Sequence, residues 1–392
     1  MDDNKPKSLF SKPVSPQVAR WFVVAVSLGS VLLVAAKWTQ IQGELIHLNG
    51  SVLPVPQPSM VRGEKIAKQN VKGVYLTAYS AGSPKKLDEI IRLIDTTELN
   101  AVVIDIKDYS GKILYGSNLP LVKDLNLRDN RLPNLSKIIE KLREHKIYTI
   151  ARQTVFQDPA LAQKKPEWAI KNKNGGIWRD NKGLSWVDPT KQEVWEYNVA
   201  IAKEAAQFGF DEINFDYVRF PSDGNLTQVA YSNGQSPKYE VMGNFYAFLQ
   251  NQLKDEPVWL SLDMFGFVME KKGIDDMRIG QRLADAVDNT DFISPMMYPS
   301  HYPPGHLGLK NPAAFPTMVI THGMELGTPV FKDKRAQVRP WIQAFNLGAV
   351  YDGTKIREEI DAVEKYSDAG WLMWNAANRY TVAGLKLEIS YK

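Results

Sequence analysis

From residue 71 onward the chain alternates short apolar runs with stretches in which apolar residues recur every three or four positions. The runs are "VKGVYLTAY" (71–79), "NAVVIDIK" (100–107), "IYTIARQ" (147–153), "DEINFDYV" (211–218), "PVWLSLDMF" (257–265), "DFISPMMY" (291–298), "RPWIQAF" (339–345) and "GWLMWN" (370–375). Their length and their β-branched and aromatic content predict strands, and the longer-period stretches predict amphipathic helices. Helices are expected over 84–97, 133–145, 190–208, 237–254, 276–289 and 354–367, with a weaker one near 311–325. Gly209 reads as the C-cap of the third helix. Alternating strands and helices predict a parallel sheet, and eight strands is the number that closes a (β/α)8 TIM barrel. An open doubly wound sheet would prefer a glycine-rich phosphate turn after its first strand, and "YSAGSPKK" is not one.

Within the strands a period of two separates polar from apolar positions. Glu212, Asn214 and Asp216 oppose Ile213, Phe215 and Tyr217; Ser261 and Asp263 oppose Leu260, Leu262 and Met264. The same parity puts Asp105 and Lys107 together, against Val102, Ile104 and Ile106. Thr77 with Tyr79, Arg152, Ser294 with Tyr298, Gln343 and Asn375 extend the polar set. In a barrel the apolar faces meet the helices, and the polar faces gather at the mouth, where the C-terminal strand ends lie.

The residues before 71 follow a different pattern. Lys5, Lys7, Lys12 and Arg20 precede the apolar run "WFVVAVSLGSVLLVAA" (21–36), which ends at Lys37. At about 1.5 Å per residue this run falls slightly short of a hydrocarbon core of about 30 Å, and snorkelling of Arg20 and Lys37 makes up the difference. The expectation is an uncleaved membrane anchor over 1–37, with a cleaved signal peptide as the alternative because Val34-Ala35-Ala36 suits cleavage. Either way the basic leader places the rest of the chain outside the cytoplasm. Residues 38–70, with "SVLPVPQPSM" at 51–60, read as an extended linker, and residues 71–392 as the barrel.

Composition narrows the chemistry. The net charge of +4 is too small, and basic residues too scattered, to argue for nucleic acid. With no cysteine, disulfides, thiolate-bound zinc and a thiol nucleophile are excluded. No GxSxG is present, and His301, His306 and His322 come without an acidic or HExxH element that would make them a metal site. Neither a metal nor another cofactor is therefore expected.

What remains is a barrel mouth with three inward carboxylates, Asp105, Asp216 and Asp263, in a chain rich in aromatic rings. Glycoside hydrolysis needs this pair of functions: one carboxyl to protonate the leaving oxygen and a second as nucleophile or base. Lys107, Arg152 and Arg219 are candidate charge partners, and Tyr79, Trp178, Tyr298 and Trp374 candidate walls of the cleft. The long connection 154–189, carrying Trp168, Trp178 and Trp186, is long enough to suggest a role of its own over the cleft.

The segments "KGVYLTAYSAG", "NAVVIDIKDYSG", "IYTIARQTVFQDP", "PEWAI", "FDEINFDYVRFPSD" and "SPMMYPSHY" resemble the glycosyl hydrolase family DUF4015 over about residues 70–385. The resemblance implies a TIM-barrel hydrolase with a catalytic carboxylate at the end of the fourth strand, which falls on Asp216. Asp263, then Asp105, are the choices for the matching acid. Where the family pattern often reads "KDDSG" this chain reads "KDYSG", so Tyr109 stands at an acidic position and no role is placed there. The expectation is a membrane-tethered hydrolase of an envelope or extracellular polysaccharide. Its rivals are a non-catalytic glycan-binding scaffold and, behind it, a metal-dependent polysaccharide deacetylase.

Overall fold

Eight parallel strands close on themselves: β1 (Val71–Leu76), β2 (Ala101–Lys107), β3 (Tyr148–Thr154), β4 (Glu212–Asp216), β5 (Trp259–Phe265), β6 (Phe292–Met296), β7 (Trp341–Gln343) and β8 (Gly370–Trp374). Each pairs with its sequence neighbour, and β1 pairs with both β2 and β8, so no edge is left open. The structure, a computed structural model, describes residues 63–234 and 236–388. The apolar run 21–36 and linker residues 38–62 lie outside the described residues. Among the described residues no helix is long and apolar enough to cross a membrane.

The β1–β8 seam depends on one glycine. Gly370, at φ +89°, pairs with Val71, and a Cβ there would stand 2.0 Å from the Val71 carbonyl oxygen. Only a residue without a side chain allows the two backbones to approach this closely.

The helices follow the predicted pattern with one exception. In α1 (Pro84–Asp95), proline opens the first turn and Leu87, Ile90, Ile91 and Ile94 form the buried stripe. In α2 (Leu135–Glu144) that stripe is Leu135, Ile138, Ile139 and Leu142. α3 (Gln192–Gln207) is followed by Gly209 at φ +90°, the left-handed position expected of it. α4 (Lys238–Leu253), α6 (Pro316–Gly327) and α7 (Gly353–Glu364) also form. The helix expected over 276–289 shrinks to α5, Leu283–Ala286. Upstream of it, the carboxylates of Asp275 and Asp276 accept the backbone N–H groups of Met277 and Arg278 at 3.0 and 2.8 Å. These side-chain bonds compete with helix formation. The turn they make delivers Gln281, whose Oε1 accepts the Phe265 N–H at 2.9 Å and so anchors the end of β5.

Two cores result. The larger fills the space between strands and helices and contains Ile104, Ile106, Ile213, Phe215, Leu262 and Met264. The smaller lies inside the barrel, built from Val71, Tyr75, Val103, Tyr148, Ile150, Tyr298, Trp341 and Leu372. Its lower end is sealed by residues just before β1: Ile66 packs against it, and the Ile66 carbonyl accepts Trp259 Nε1 at 3.0 Å. Just above, Glu212 is buried between Arg339 and the Tyr148 hydroxyl.

Candidate active site

The period of two in β3, β4 and β5 turns Arg152, Asp216 and Asp263 to the inside, and Asp105 joins them from β2. Arg152 is the hub. Its Nη1 donates to Asp105 Oδ1 at 2.5 Å, its Nη2 donates to Asp216 Oδ2, and its Nε lies 3.7 Å from Asp263 Oδ2. All four side chains are buried. Burial works against the charge of Arg152, but Asp105 and Asp216 outweigh it and hold its pKa above the ordinary value.

The carboxylates differ in their surroundings. Asp216 Oδ1 accepts the backbone N–H of Tyr217 at 2.5 Å. Tyr217 sits at φ +54°, an unusual conformation for a large side chain, and the kink it makes turns that N–H back onto the carboxylate. Asp263 Oδ1 accepts from Trp341 Nε1 at 2.7 Å and Asn214 Nδ2 at 2.9 Å. Burial, with the nearby charge of Asp216, raises the Asp263 pKa to about 8 against the pull of Arg152, which favours the protonated acid. Asp105, also desolvated but bonded to Arg152 and to the Tyr75 hydroxyl at 2.5 Å, is raised to about 6.

Aromatic rings brace this cluster. Trp374, half-buried at the end of β8, stacks on Tyr75 with centroids 3.8 Å apart and meets Trp341 edge-on at 5.4 Å. The Arg152 guanidinium lies 5.1 Å from the Trp374 ring. Tyr298 is buried near Asp263 and Asp216, with its ring edge-on to His301 and Phe345.

The remaining sequence candidates go elsewhere. Lys107 is turned away from the aspartates by an irregularity in the β2–β3 pairing: Asp105 faces Arg152, but Lys107 faces Gln153, so Ile106 is an extra residue. The bulge sends Lys107 out of the barrel, where it is fully buried and bonded to Asp158 at 2.8 Å, the Thr154 carbonyl and Asn198 of α3. Gly111, at φ +76°, leaves room for that Asp158 carboxylate, which a Cβ would meet at 2.0 Å. Replacing Lys107 by Met should therefore destabilise the fold by about 3–5 kcal/mol, because it strands the buried Asp158 charge. Chemical denaturation of both proteins measures this; a loss below about 1 kcal/mol would contradict the structural role.

Trp178 is also fully buried, its Nε1 held by the Asn225 carbonyl at 3.0 Å, and it staples the loop after β3 to the loop after β4. The two loops share a small antiparallel ladder, Lys171–Asn172 with Val229–Ala230. Arg219 is sandwiched between Trp186 and Phe265 at 5.0 and 4.7 Å and donates to the Phe220 carbonyl. Tyr79 lies at the surface under Arg131, and Tyr109 is exposed. His306 contacts Glu270, Tyr302 and His322. Among the described residues no group of three or more His, Asp or Glu side chains is arranged to hold a metal ion.

Sequence reasoning passed over Tyr75 and Trp341, which bond directly to Asp105 and Asp263. Parity was the available signal, since Tyr75 alternates with Thr77 and Trp341 with Gln343.

Comparison with known proteins places this geometry. The family model described as DUF4015, "Putative glycosyl hydrolase domain", matches residues 73–380. No curated protein matches the chain. Among solved structures, the PgaB (BpsB) glycoside hydrolase domain from Bordetella bronchiseptica aligns at 12% identity, covering 79% of this chain and 94% of that one, with a TM-score of 0.57. The α-L-fucosidase isoenzyme 2 from Paenibacillus thiaminolyticus aligns at 14% identity, over 80% of this chain and 47% of that one, with a TM-score of 0.52. A hypothetical protein from Ruminiclostridium thermocellum is 40% identical over 48% of this chain and 96% of its own, with a TM-score of 0.46. The first two likenesses show the fold.

Proposed function

We propose a function from one premise: the chain belongs to the DUF4015 family of glycosyl hydrolase domains. On this reading it hydrolyses O-glycosidic bonds in an extracytoplasmic or cell-envelope polysaccharide. Asp263, protonated at neutral pH, gives its proton to the leaving oxygen. Asp216 attacks the anomeric carbon as nucleophile or takes a proton from the attacking water. Either way the glycosidic C–O bond breaks, and the products gain one molecule of water.

The observation that carries this reading is the difference between the two carboxyls around one cation. Asp263 is made a proton donor by burial and by Asp216, while Asp216 is oriented by Arg152 and the Tyr217 N–H. Carboxyls held in such different settings are what an acid paired with a nucleophile or base requires. Trp374, half-buried beside them, offers a flat face for a sugar ring. The basic leader and the apolar run at 21–36 support tethering at a membrane, with the barrel outside the cytoplasm.

A second reading, a glycan-binding scaffold without turnover, draws on the engagement of both Asp216 oxygens by protein donors. Reducing-end release from a panel of purified envelope glycans separates the two. Release by the wild type supports the hydrolase, while binding of a glycan without release supports the scaffold. For Asp263→Asn, activity on natural glycans should fall about 10²–10⁴-fold. Activity on aryl glycosides, whose leaving groups need little protonation, should be largely kept; equal losses on both substrates would remove Asp263 from the acid role.

A further inference from the structure

Asp263 is the acid of the proposed reaction, yet nothing in that assignment says which of its oxygens carries the proton or what aims it. The two oxygens have different neighbours. Oδ1 is the acceptor for Trp341 Nε1 at 2.7 Å and Asn214 Nδ2 at 2.9 Å, whereas Oδ2 is the oxygen that faces Arg152 Nε, at 3.7 Å. That Nε makes no hydrogen bond within the protein. Trp341 and Asn214 are both fully buried, so neither bond competes with solvent.

An indole N–H can only donate, so the Trp341 bond has one polarity. A carboxylic acid that receives two N–H bonds on one oxygen presents that oxygen as its carbonyl and carries its proton on the other. Asn214 Nδ2 is shared with Ser261 Oγ at 3.0 Å, which steadies the amide. Trp341 is in turn held edge-on by Trp374, which stacks on Tyr75, whose hydroxyl is bonded to Asp105.

We infer that Trp341 and Asn214 are positioning residues for the acid, fixing the transferable proton of Asp263 on Oδ2, beside Arg152. This rests on the hydrolase reading for its purpose, but the geometry can be tested without turnover. Both donors favour the ionised carboxylate, so removing either raises the pKa of Asp263. The other groups acting on it are Asp216 from β4, which raises it, and Arg152 from β3, which lowers it. Tyr298, after β6, is held neutral first by burial and then by the nearby Asp263 and Asp216 carboxyls.

The experiment compares the full-length wild type with Trp341→Phe, which keeps most of the ring volume and loses the N–H. Asn214→Leu is the second variant in case the first fails to fold. Carboxyl ¹³C signals of labelled aspartates are titrated, with Asp263 identified by its loss in Asp263→Asn. In each folded variant the Asp263 midpoint should move up by about 0.5–1 pH unit. The alkaline limb of kcat/KM should move with it, and kcat on natural glycans should fall about tenfold through lost aim. An unmoved midpoint in both variants, with turnover that still requires Asp263, would overturn the positioning role and leave the hydrolase reading standing. A raised midpoint in a protein that cleaves no glycan would uphold the hydrogen-bond geometry and overturn the hydrolase reading, and with it the catalytic purpose inferred here.

Discussion

Replacing Asp216 by Asn is expected to lower glycan hydrolysis by about 10⁴-fold or more while leaving a folded, glycan-binding barrel. The amide occupies the same volume, and its single oxygen can keep either the Tyr217 N–H bond or the Arg152 bond, its NH2 group then facing the other donor. What it lacks is the negative charge needed to attack or to take a proton. The variant also carries a built-in control. Asp216 is one of the groups that raise the Asp263 pKa, so its neutralisation should lower that pKa. Any residual activity would then show its alkaline limb at lower pH, opposite to the shift expected for Trp341→Phe. Reducing-end assays across pH measure both effects; turnover within tenfold of wild type would remove Asp216 from the chemistry.

The second large effect is on stability. Arg152 is the cation that bonds Asp105 and Asp216 and lies beside Asp263 within the barrel. Substitution by Met should cost about 3–5 kcal/mol near pH 8, because it leaves buried carboxylates without a partner. The pH dependence has a definite sign. Asp105 and Asp263 already have folded pKa values of about 6 and about 8, above the ordinary 3.8, so the folded state binds more protons than the unfolded one in that interval. Stability therefore declines as pH rises from about 4 towards 8 even in the wild type. Removing Arg152, which lowers both values, steepens the decline. The gap between the proteins should be widest at pH 8 and narrow towards pH 5, where both carboxyls are protonated. Urea titrations at the two pH values check this, and a gap independent of pH would mean that packing alone was lost.

Much of this was legible in the sequence because a barrel repeats one rule. Each strand alternates between a helix-facing side and an inner side, so "DEINFDYV" and "VWLSLDMF" already pointed Asp216 and Asp263 inward. The same rule reached Arg152; at the end of β8 it pointed to Asn375, whereas the residue that faces the cluster is its neighbour Trp374. It failed at Lys107, where one extra residue in β2 reverses the parity, and nothing in "IDIKDYSG" marks the bulge. The aromatic loop residues failed for a different reason. Composition suggested that Trp178 would meet a ligand, but the loop after β3 uses it as its own core, against the Asn225 carbonyl. The helix expected at 276–289 was lost to aspartate side chains that bond to their own backbone, an option that apolar periodicity does not reveal. Tyr75 and Trp341 lay on the correct parity; they were missed because hydrophobic rings in a strand read first as packing.

The seam at Gly370 carries a consequence for how the barrel is assembled. The first strand is complete only when the last one arrives, since Val71 takes Gly370 as its partner across nearly the whole length of the domain. Joining such distant segments is entropically slow, and until it happens β1 and the growing end of the sheet both present unpaired backbone. A nascent or truncated chain lacking β8 thus has two adhesive edges that the closed barrel lacks. Folding should behave as a late, all-or-none closure, and chains stopped before residue 370 should aggregate rather than persist as a stable partial barrel.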